Sequence, residues 1–211
     1  MPEAISTQAL ADWIHESARL VRTNKEALND LDSTCGDGDH GSNLHRGFSA
    51  VVEALEPENS ESPRALLKTV GATLVSKVGG SSGALYGTFF LRMALACGTE
   101  AVLDGRAFGK AFAAAAQGIV DRGQVEVGDK TLYDALAPAV EAYEREVSAG
   151  QGLGAALDAA AEAAGAGRDA TAQMMARKGR ASYLGERTLG YADAGSTSMA
   201  LIIGAAAKTL G

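Results

Sequence analysis

Apolar residues recur at helical spacing along the whole chain, and short polar stretches rich in glycine interrupt them. In residues 7–31 the apolar positions lie mostly three, four or seven residues apart, which places them on one face of an amphipathic helix. Helical spacing returns in later segments, at residues 44–55, 66–78, 84–96, 107–120, 132–147, 155–166 and 197–210. No stretch alternates apolar and polar residues between turn signals, so no strand is predicted. The pattern therefore predicts an all-α fold of about eight helices.

The bulk composition is that of an ordinary globular domain. The 211 residues are 46% hydrophobic and 21% charged, which argues against disordered, collagen-like and fibrous classes. A chain of this length can bury a substantial core, and we expect one domain over residues 1–211. The formal charge is −7 without any basic run, so neither nucleic acid nor an anionic membrane is an expected partner. An acidic chain that binds phosphate must use metal ions, backbone amides or a few arginines.

Cysteine usage and the N-terminus bear on the cellular compartment. Cys35 and Cys97 show no C-x-x-C spacing, so the sequence predicts neither a disulfide framework nor a zinc site. Residues 1–5 lack a positive region followed by an apolar run, and no apolar stretch is long enough to span a bilayer. We therefore expect a cytoplasmic protein.

The segment most suggestive of chemistry is the acidic, glycine-containing stretch at residues 31–43, expected to join two helices as a loop. It carries Asp32, Asp37 and Asp39, whose three carboxylates lie within eight residues and repel one another unless a cation neutralises them. Oxygen ligands of this kind suit Mg²⁺, which typically binds one or two carboxylates together with phosphate oxygens and water. The alternative interpretation is a solvated acidic turn, or aspartates that cap the following helix.

The residues of this stretch exclude three well-known types of binding loop. The glycines of residues 36–41 fit G-x-G-x-x-G, but no strand precedes them and the intervening aspartates would repel a pyrophosphate. An EF-hand starting at Asp37 would need glycine and glutamate where Ser42 and Phe48 stand. No G-x-x-x-x-G-K-[ST] motif occurs, so a bound nucleotide would not be held by a P-loop.

Two further polar loops have the composition of phosphate-binding sites. Residues 79–83 precede a helix expected to begin near residue 84, where backbone amides and the hydroxyls of Ser81 and Ser82 would suit an anion. A plain capping loop is the alternative. Residues 176–187 carry four cations and lead to another helix start, which suits a guanidinium that reaches a phosphate. A surface charge run is the alternative there.

These segments together resemble a known family over almost the whole chain. The resemblance rests on four ordered motifs, at residues 31–41, 79–90, 128–138 and 176–187. They are similar to those of the ADP-binding L subunit of bacterial dihydroxyacetone kinase, which is also the C-terminal domain of single-chain dihydroxyacetone kinases. Four motifs in the same order make the resemblance specific.

The resemblance implies a barrel of eight antiparallel helices with ADP or ATP bound in loops at one end. Two Mg²⁺ ions would bridge the phosphates to Asp32, Asp37 and Asp39. By motif, the residues implied to line, hold or close the nucleotide site are His40, Gly41, Ser42, Asn43, Ser81, Ser82, Arg180, Asp193, Ala194 and Gly195. Gly123 and Leu132 match positions that flank the base.

The resemblance also implies an incomplete phosphotransferase of glycerol metabolism. In the family a histidine on a separate K subunit holds the triose covalently, and none of His15, His40 and His45 is assigned that role here. The donor stays open between exchangeable ATP and a phosphoprotein of the sugar phosphotransferase system, and the acceptor between dihydroxyacetone and another small ketose or tetrose. The alternative hypothesis is a nucleotide-sensing subunit that binds a transcription regulator. A homodimer is expected.

Overall fold

The computed structural model describes residues 4–55 and 62–211. Within these ranges the elements in chain order are β1 (Ala4–Ser6), α1 (Thr7–Thr23), α2 (Lys25–Cys35), α3 (His40–Leu55), α4 (Pro63–Lys77), α5 (Gly80–Ala96), β2 (Val102–Asp104), α6 (Gly105–Gly123), α7 (Tyr133–Ser148), α8 (Leu153–Ala170) and α9 (Ala194–Leu210), with 3-10 helices at Thr171–Gln173 and Arg180–Thr188. The mostly helical fold confirms the prediction. Of the N-terminal stretch 1–5, residues 1–3 lie outside the described residues. No described helix is both long enough and apolar enough to cross a membrane.

The helix boundaries around the acidic stretch differ from the prediction. The helix predicted over residues 7–31 is broken at Asn24, whose side-chain amide donates to the Leu20 carbonyl at 2.9 Å and ends α1. The chain then resumes as α2 and stays helical to Cys35, so Asp32 lies on a helix and only residues 36–39 separate α2 from α3. Helical spacing of apolar residues does not reveal a one-residue break, because the spacing continues across it.

The two short strands contradict the prediction that the chain has none. β1 and β2 pair antiparallel, with Ile5 opposite Leu103, and both of these side chains are buried. Strands of three residues are too short to show an alternating apolar pattern, which explains why the sequence did not reveal them.

The helices pack on one another mostly in chain order. From α3 to α9 each helix contacts the next, and α1 contacts both α3 and α9, which joins the two ends of the series. Helix α2 packs mainly on α3, with a smaller contact to α9. The side chains that face inward from α1 and from α3 to α9 form one continuous hydrophobic cluster.

Trp13 of α1 lies near the middle of this hydrophobic cluster. Its ring centroid is 5.6 Å from that of Phe90 and 6.1 Å from that of Phe108. Its indole Nε1 donates to the carbonyl of Ile202 at 2.8 Å, which satisfies the buried donor and connects α1 to α9.

Helices α4 and α5 approach each other through glycine. A Cβ at Gly87 would lie 2.3 Å from Cγ2 of Val75 and 2.9 Å from the carbonyl oxygen of Gly71. Gly71 and Gly87 therefore allow the backbones to pack more closely than any larger residue would permit. Gly204 of α9, by contrast, has no atom within 4 Å of a Cβ placed on it.

Gly87→Ala and Gly204→Ala form a matched test of this packing. We expect Gly87→Ala to lower the free energy of unfolding by about 1–3 kcal/mol because the methyl group overpacks the α4–α5 interface. Gly204→Ala should leave stability unchanged or raise it by up to about 1 kcal/mol, because alanine favours the helix. Urea denaturation followed by circular dichroism measures both. Equal effects of the two substitutions would contradict the close approach.

Candidate functional site

A cleft of about 850 Å³ opens where seven helices begin or end. Residues at the N-terminal ends of α3, α5, α7 and α9 line it, together with residues at the C-terminal ends of α2, α4 and α6. The start of a helix carries unpaired backbone amides and a partial positive charge. The cleft therefore receives several helix N-termini from separate parts of the chain, an arrangement that suits an anion.

The three aspartates of the acidic stretch come together at one side of the cleft. One carboxylate oxygen of each of Asp32, Asp37 and Asp39 lies within 4.8 Å of the others. The Asp32 carboxylate also accepts hydrogen bonds from the backbone amides of Asp39 at 2.9 Å and His40 at 3.2 Å, so it caps the start of α3. Both interpretations of the stretch thus hold for Asp32, which caps a helix and belongs to a cluster of oxygen ligands that suits a divalent cation.

Glycine makes the turn between α2 and α3 possible. Gly38 has φ +75°, and a Cβ at Gly36 would lie 2.2 Å from the Asp32 carboxylate. A larger residue at Gly36 would displace the Asp32 side chain that organises the turn. The glycines of this motif are therefore explained by the geometry that gathers the aspartates.

The second predicted loop lies at the start of α5, which begins at Gly80 and not near residue 84. Gly79 and Gly80 have φ +83° and +58°, and Ser81 and Ser82 follow in the first helical turn. Both serines line the cleft. The glycines leave the amides at this helix start uncovered, so the first turn of α5 offers backbone and hydroxyl donors together.

His40 connects three of the helix starts. It is buried, and its Nε2 lies 2.8 Å from Oγ of Ser198 in α9, while its Nδ1 lies 3.3 Å from Oγ of Ser82 in α5. Tyr86 extends this network, because its hydroxyl lies 2.6 Å from Oγ of Ser198 and donates to the Gly195 carbonyl at 3.1 Å. Burial lowers the pKa of His40, although the charges of Asp32 and Asp39 act in the opposite direction, so burial favours the neutral imidazole.

Asp193 organises the start of α9. Its carboxylate accepts from the backbone amide of Ser196 at 2.6 Å, and its own amide donates to Oγ1 of Thr171 at 2.9 Å. Burial raises the pKa of Asp193 to about 7, although the bond from Ser196 acts in the opposite direction. The predicted residues Asp193, Ala194 and Gly195 all line the cleft.

Two predicted residues, Gly41 and Ser42, are not part of the cleft wall. A Cβ at Gly41 would lie 2.1 Å from the carbonyl oxygen of Lys25, and Ser42 exchanges two hydrogen bonds of 2.9 Å with the side chain of Asn29. These contacts attach the start of α3 to α2 and so hold together the two helices that flank the acidic turn. The predicted residues that do line the cleft are Asp32, Asp37, Asp39, His40, Asn43, Ser81, Ser82, Gly123, Leu132, Arg180, Asp193, Ala194 and Gly195.

Arg180 reaches the acidic cluster from the far end of the chain. It begins the 3-10 helix Arg180–Thr188, which packs against α2, and its guanidinium forms an ion pair with the Asp37 carboxylate. Gly179 precedes it with φ +65°. The geometry therefore places a cation beside the aspartates, at the position from which it could contact a phosphate held there.

The cleft also contains cations to which the sequence gave no role. Arg46, Arg122, Lys130 and Lys178 line it. Arg46 has a structural role, because its guanidinium donates hydrogen bonds to the carbonyls of Lys77 and Val78 at the end of α4. The motif at residues 128–138 contains Lys130 and could have drawn attention to it, whereas no sequence pattern distinguished Arg46 or Arg122.

The chain is similar to curated proteins along nearly its full length. It is 40% identical over 196 residues to the ADP-binding subunit DhaL of the PEP-dependent dihydroxyacetone kinase of Escherichia coli (strain K12), covering 93% of each chain. It is 34% identical to the ADP-binding subunit DhaL of the PTS-dependent dihydroxyacetone kinase of Lactococcus lactis, over 90% of this chain and 91% of that one. An L-erythrulose kinase of Pectobacterium atrosepticum is 32% identical over 97% of this chain and 35% of its own length.

A solved structure and a family model agree with these sequence similarities. The dihydroxyacetone kinase of C. freundii, solved with AMP-PNP and Mg²⁺, superposes with a TM-score of 0.71 at 24% identity, over 99% of this chain and 35% of that one. The model of the DAK2 domain matches residues 34–208. The resemblance found in the sequence is therefore confirmed, and the chain belongs to the DAK2 domain family.

Proposed function

We propose that this chain is the nucleotide-binding subunit of a dihydroxyacetone kinase, which presents Mg²⁺-bound ADP or ATP to a small ketose held on a separate subunit. The observation that carries the proposal is the meeting of three carboxylates with the N-termini of α3, α5 and α9 in one cleft. Carboxylates repel a free polyphosphate, whereas helix N-termini attract it. A polyphosphate with bound divalent cations satisfies both groups, because the cations lie between the two sets of negative oxygens.

The names of the relatives support the same function. The E. coli and L. lactis proteins are named ADP-binding subunits of dihydroxyacetone kinases, and the C. freundii kinase was solved with AMP-PNP and Mg²⁺. The E. coli protein is PEP-dependent and the L. lactis protein is PTS-dependent by name, which favours a phosphoprotein donor that rephosphorylates a resident ADP. The erythrulose kinase supports a small ketose or tetrose as the alternative acceptor.

The residues of the cleft wall have distinct roles in this proposal. Asp32, Asp37 and Asp39 would hold two Mg²⁺ ions, which when bound neutralise charge on the transferring phosphoryl group. The phosphates would lie against the first turns of α3, α5 and α9, where Ser81 and Ser82 would hold phosphate oxygens. His40 and Asn43 would line the nucleotide site, and Arg180 with Asp193, Ala194 and Gly195 would close it. A Cβ at Gly123 would lie 3.2 Å from Cγ1 of Val125 and 3.3 Å from Cδ2 of Leu85, and this apolar part of the cleft suits the base. Leu132, which also lines the cleft, would flank the base as well.

We also propose that α1 and α3 to α9 form a barrel of eight antiparallel helices in a single domain. The support is the closed series of contacts, in which α1 packs on both α3 and α9. Helix starts alternate with helix ends around the cleft along the series from α3 to α7, as antiparallel neighbours require. The single continuous core agrees with one domain.

The cleft has a donor site without a group to capture the acceptor. In the part of the chain that the structure describes, His40 is the one histidine in the cleft wall, and both of its ring nitrogens lie within hydrogen-bond distance of serine hydroxyls. A histidine fixed in this way is not available to bond a ketone. We infer that a K subunit supplies the acceptor. The expected homodimer and the binding of a transcription regulator stay predictions.

Asp37→Ala tests the metal-bridge assignment. We expect it to abolish detectable ADP binding in the presence of Mg²⁺ and to leave the helical circular dichroism unchanged, since it removes a ligand and relieves repulsion within an exposed cluster. Isothermal titration of ADP with and without Mg²⁺ measures this. The control is Asp158→Ala, an exposed aspartate on α8, and it should bind like the parent chain. Parental affinity in Asp37→Ala would refute the assignment.

Arg180→Ala tests whether the guanidinium contacts phosphate. We expect ADP binding to weaken by about 1.5–3 kcal/mol, which is roughly a 10- to 150-fold rise in Kd, because one charge-assisted contact is lost. Arg187→Ala is the matched control, since Arg187 is exposed on the same 3-10 helix and is not part of the cleft wall. An unchanged Kd for Arg180→Ala would show that Arg180 is a surface charge that does not contact the phosphates.

The chain alone should not phosphorylate dihydroxyacetone at a useful rate, because effective molarity is lost when only the donor is bound. A coupled assay for dihydroxyacetone phosphate would compare the chain, a K subunit and the mixture, each with ATP or with a phosphorylated phosphotransferase protein. Only the mixture should turn over. Robust turnover by the chain alone would show that it carries its own acceptor site.

A further inference from the structure

Lys130 is the most deeply buried cation among the described residues that line the cleft. It is 4% exposed and lies in the left-handed backbone region with φ +61°. The carboxylate of Asp134, itself buried, fixes the loop around it by accepting from the amides of Gly128 at 2.6 Å and Thr131 at 2.7 Å. Lys130 therefore projects from a backbone that cannot easily shift.

The ammonium group of Lys130 bonds to three carbonyls of one distant segment. It donates to Met174 at 3.1 Å, to Thr188 at 2.5 Å and to Tyr191 at 2.7 Å. An ammonium has three N–H donors, so all of them are used. With these donors occupied, Lys130 is not free to bind a phosphate, although it belongs to the cleft wall.

The three carbonyls lie at the base of the segment that carries Arg180. We call residues 174–191 the Arg180 segment. Its two ends meet at Lys130, and the intervening part packs on α2 and reaches the turn after it, where Arg180 pairs with Asp37. Two backbone amides reinforce the base, from Ala176 to Oγ1 of Thr188 at 3.0 Å and from Arg177 to the carbonyl of Asp129 at 3.0 Å.

Little else holds the outer part of the Arg180 segment. Gly179 and Gly185 have positive φ, and the side chain of Tyr183 between them is 90% exposed. A stretch with few buried contacts and exposed backbone has low local stability. Its position over the acidic cluster therefore depends on how firmly its base is fixed.

We propose that Lys130 is a positioning residue, which acts through Arg180 by clamping the two ends of the Arg180 segment so that the guanidinium stays over the acidic cluster. Its role in nucleotide binding rests on the function proposed above, whereas its role as a clamp does not. Removal of the ammonium leaves three carbonyls without their donor, and the ends of the segment separate. Arg180 then loses its fixed position although its own side chain is intact.

Limited trypsin digestion of the full chain without nucleotide tests the clamp directly. Four cleavage sites fall within the Arg180 segment, at Arg177, Lys178, Arg180 and Arg187. In Lys130→Met we expect cleavage at these sites to be on the order of tenfold faster, as read by mass spectrometry of the first fragments, with other sites unaffected. Lys110→Met, an exposed lysine on α6, is the matched control and should be cleaved like the parent chain.

Lys130→Arg provides a second variant in case Lys130→Met does not fold. It keeps the charge, but a planar guanidinium cannot direct three donors from one nitrogen to three converging carbonyls. The same four sites should again be cleaved faster, by a smaller factor. Parental cleavage rates in the folded variants, or acceleration spread over the whole chain, would overturn the proposal, because the second result indicates general destabilisation.

A double-mutant cycle on ADP affinity with Mg²⁺ then tests whether Lys130 acts through Arg180. Lys130→Met alone should raise Kd by about tenfold, whereas in the Arg180→Ala background it should add little. If the loss of ADP affinity in the double variant equals the sum of the losses in the two single variants, the positioning role is wrong. If the parent chain binds no ADP, the proposed function fails, while the digestion pattern still decides whether Lys130 is the clamp.

Discussion

The hydrogen bonds of His40 are the interaction on which the arrangement of the cleft depends. One imidazole, buried at the start of α3, lies within hydrogen-bond distance of Ser82 in α5 and Ser198 in α9. Tyr86 adds a second connection between α5 and α9. Three helix starts that are far apart in the chain are thereby held toward a common space. Because unsatisfied buried polar groups are costly, displacement of any one helix would leave its partners without hydrogen bonds.

The electrostatics of the cleft follow from this arrangement. Three helix starts bring partial positive charge to the cleft, and the acidic turn that leads into α3 brings three carboxylates. An acidic chain with a net charge of −7 gains nothing from long-range attraction of phosphate, so affinity for an anion has to be created locally. Amides at helix starts and carboxylates that suit a divalent cation are the two local means that this cleft provides.

The wall of the cleft and the Arg180 segment differ in how firmly they are held. The acidic turn, the start of α5 and the start of α9 are fixed by hydrogen bonds between separate parts of the cleft wall, including the cap that Asp32 places on α3 and the buried bond between His40 and Ser198. The outer part of the Arg180 segment is exposed, and the segment is attached mainly at its base, to Lys130. The cleft wall is therefore held by contacts among several helices, whereas the Arg180 segment is anchored mainly at its base.

The sequence alone determined the helical class and the family, and 13 of the 15 predicted site residues line the cleft. Helical spacing is local, and the four motifs at residues 31–41, 79–90, 128–138 and 176–187 retain their residue types and order, so both can be read without coordinates. The sequence did not reveal the strands β1 and β2, the break at Asn24, or the clamp at Lys130. The break at Asn24 is local, because its side chain bonds to Leu20 and the helical spacing continues across it. Tertiary structure decided the other features and the proximity of Asp32, Arg180 and Asp193, because each depends on contacts between residues far apart in the chain. A lysine that bonds three distant carbonyls has the same local sequence as one exposed to solvent, and only the packing of the loop before α7 against the returning segment distinguishes them.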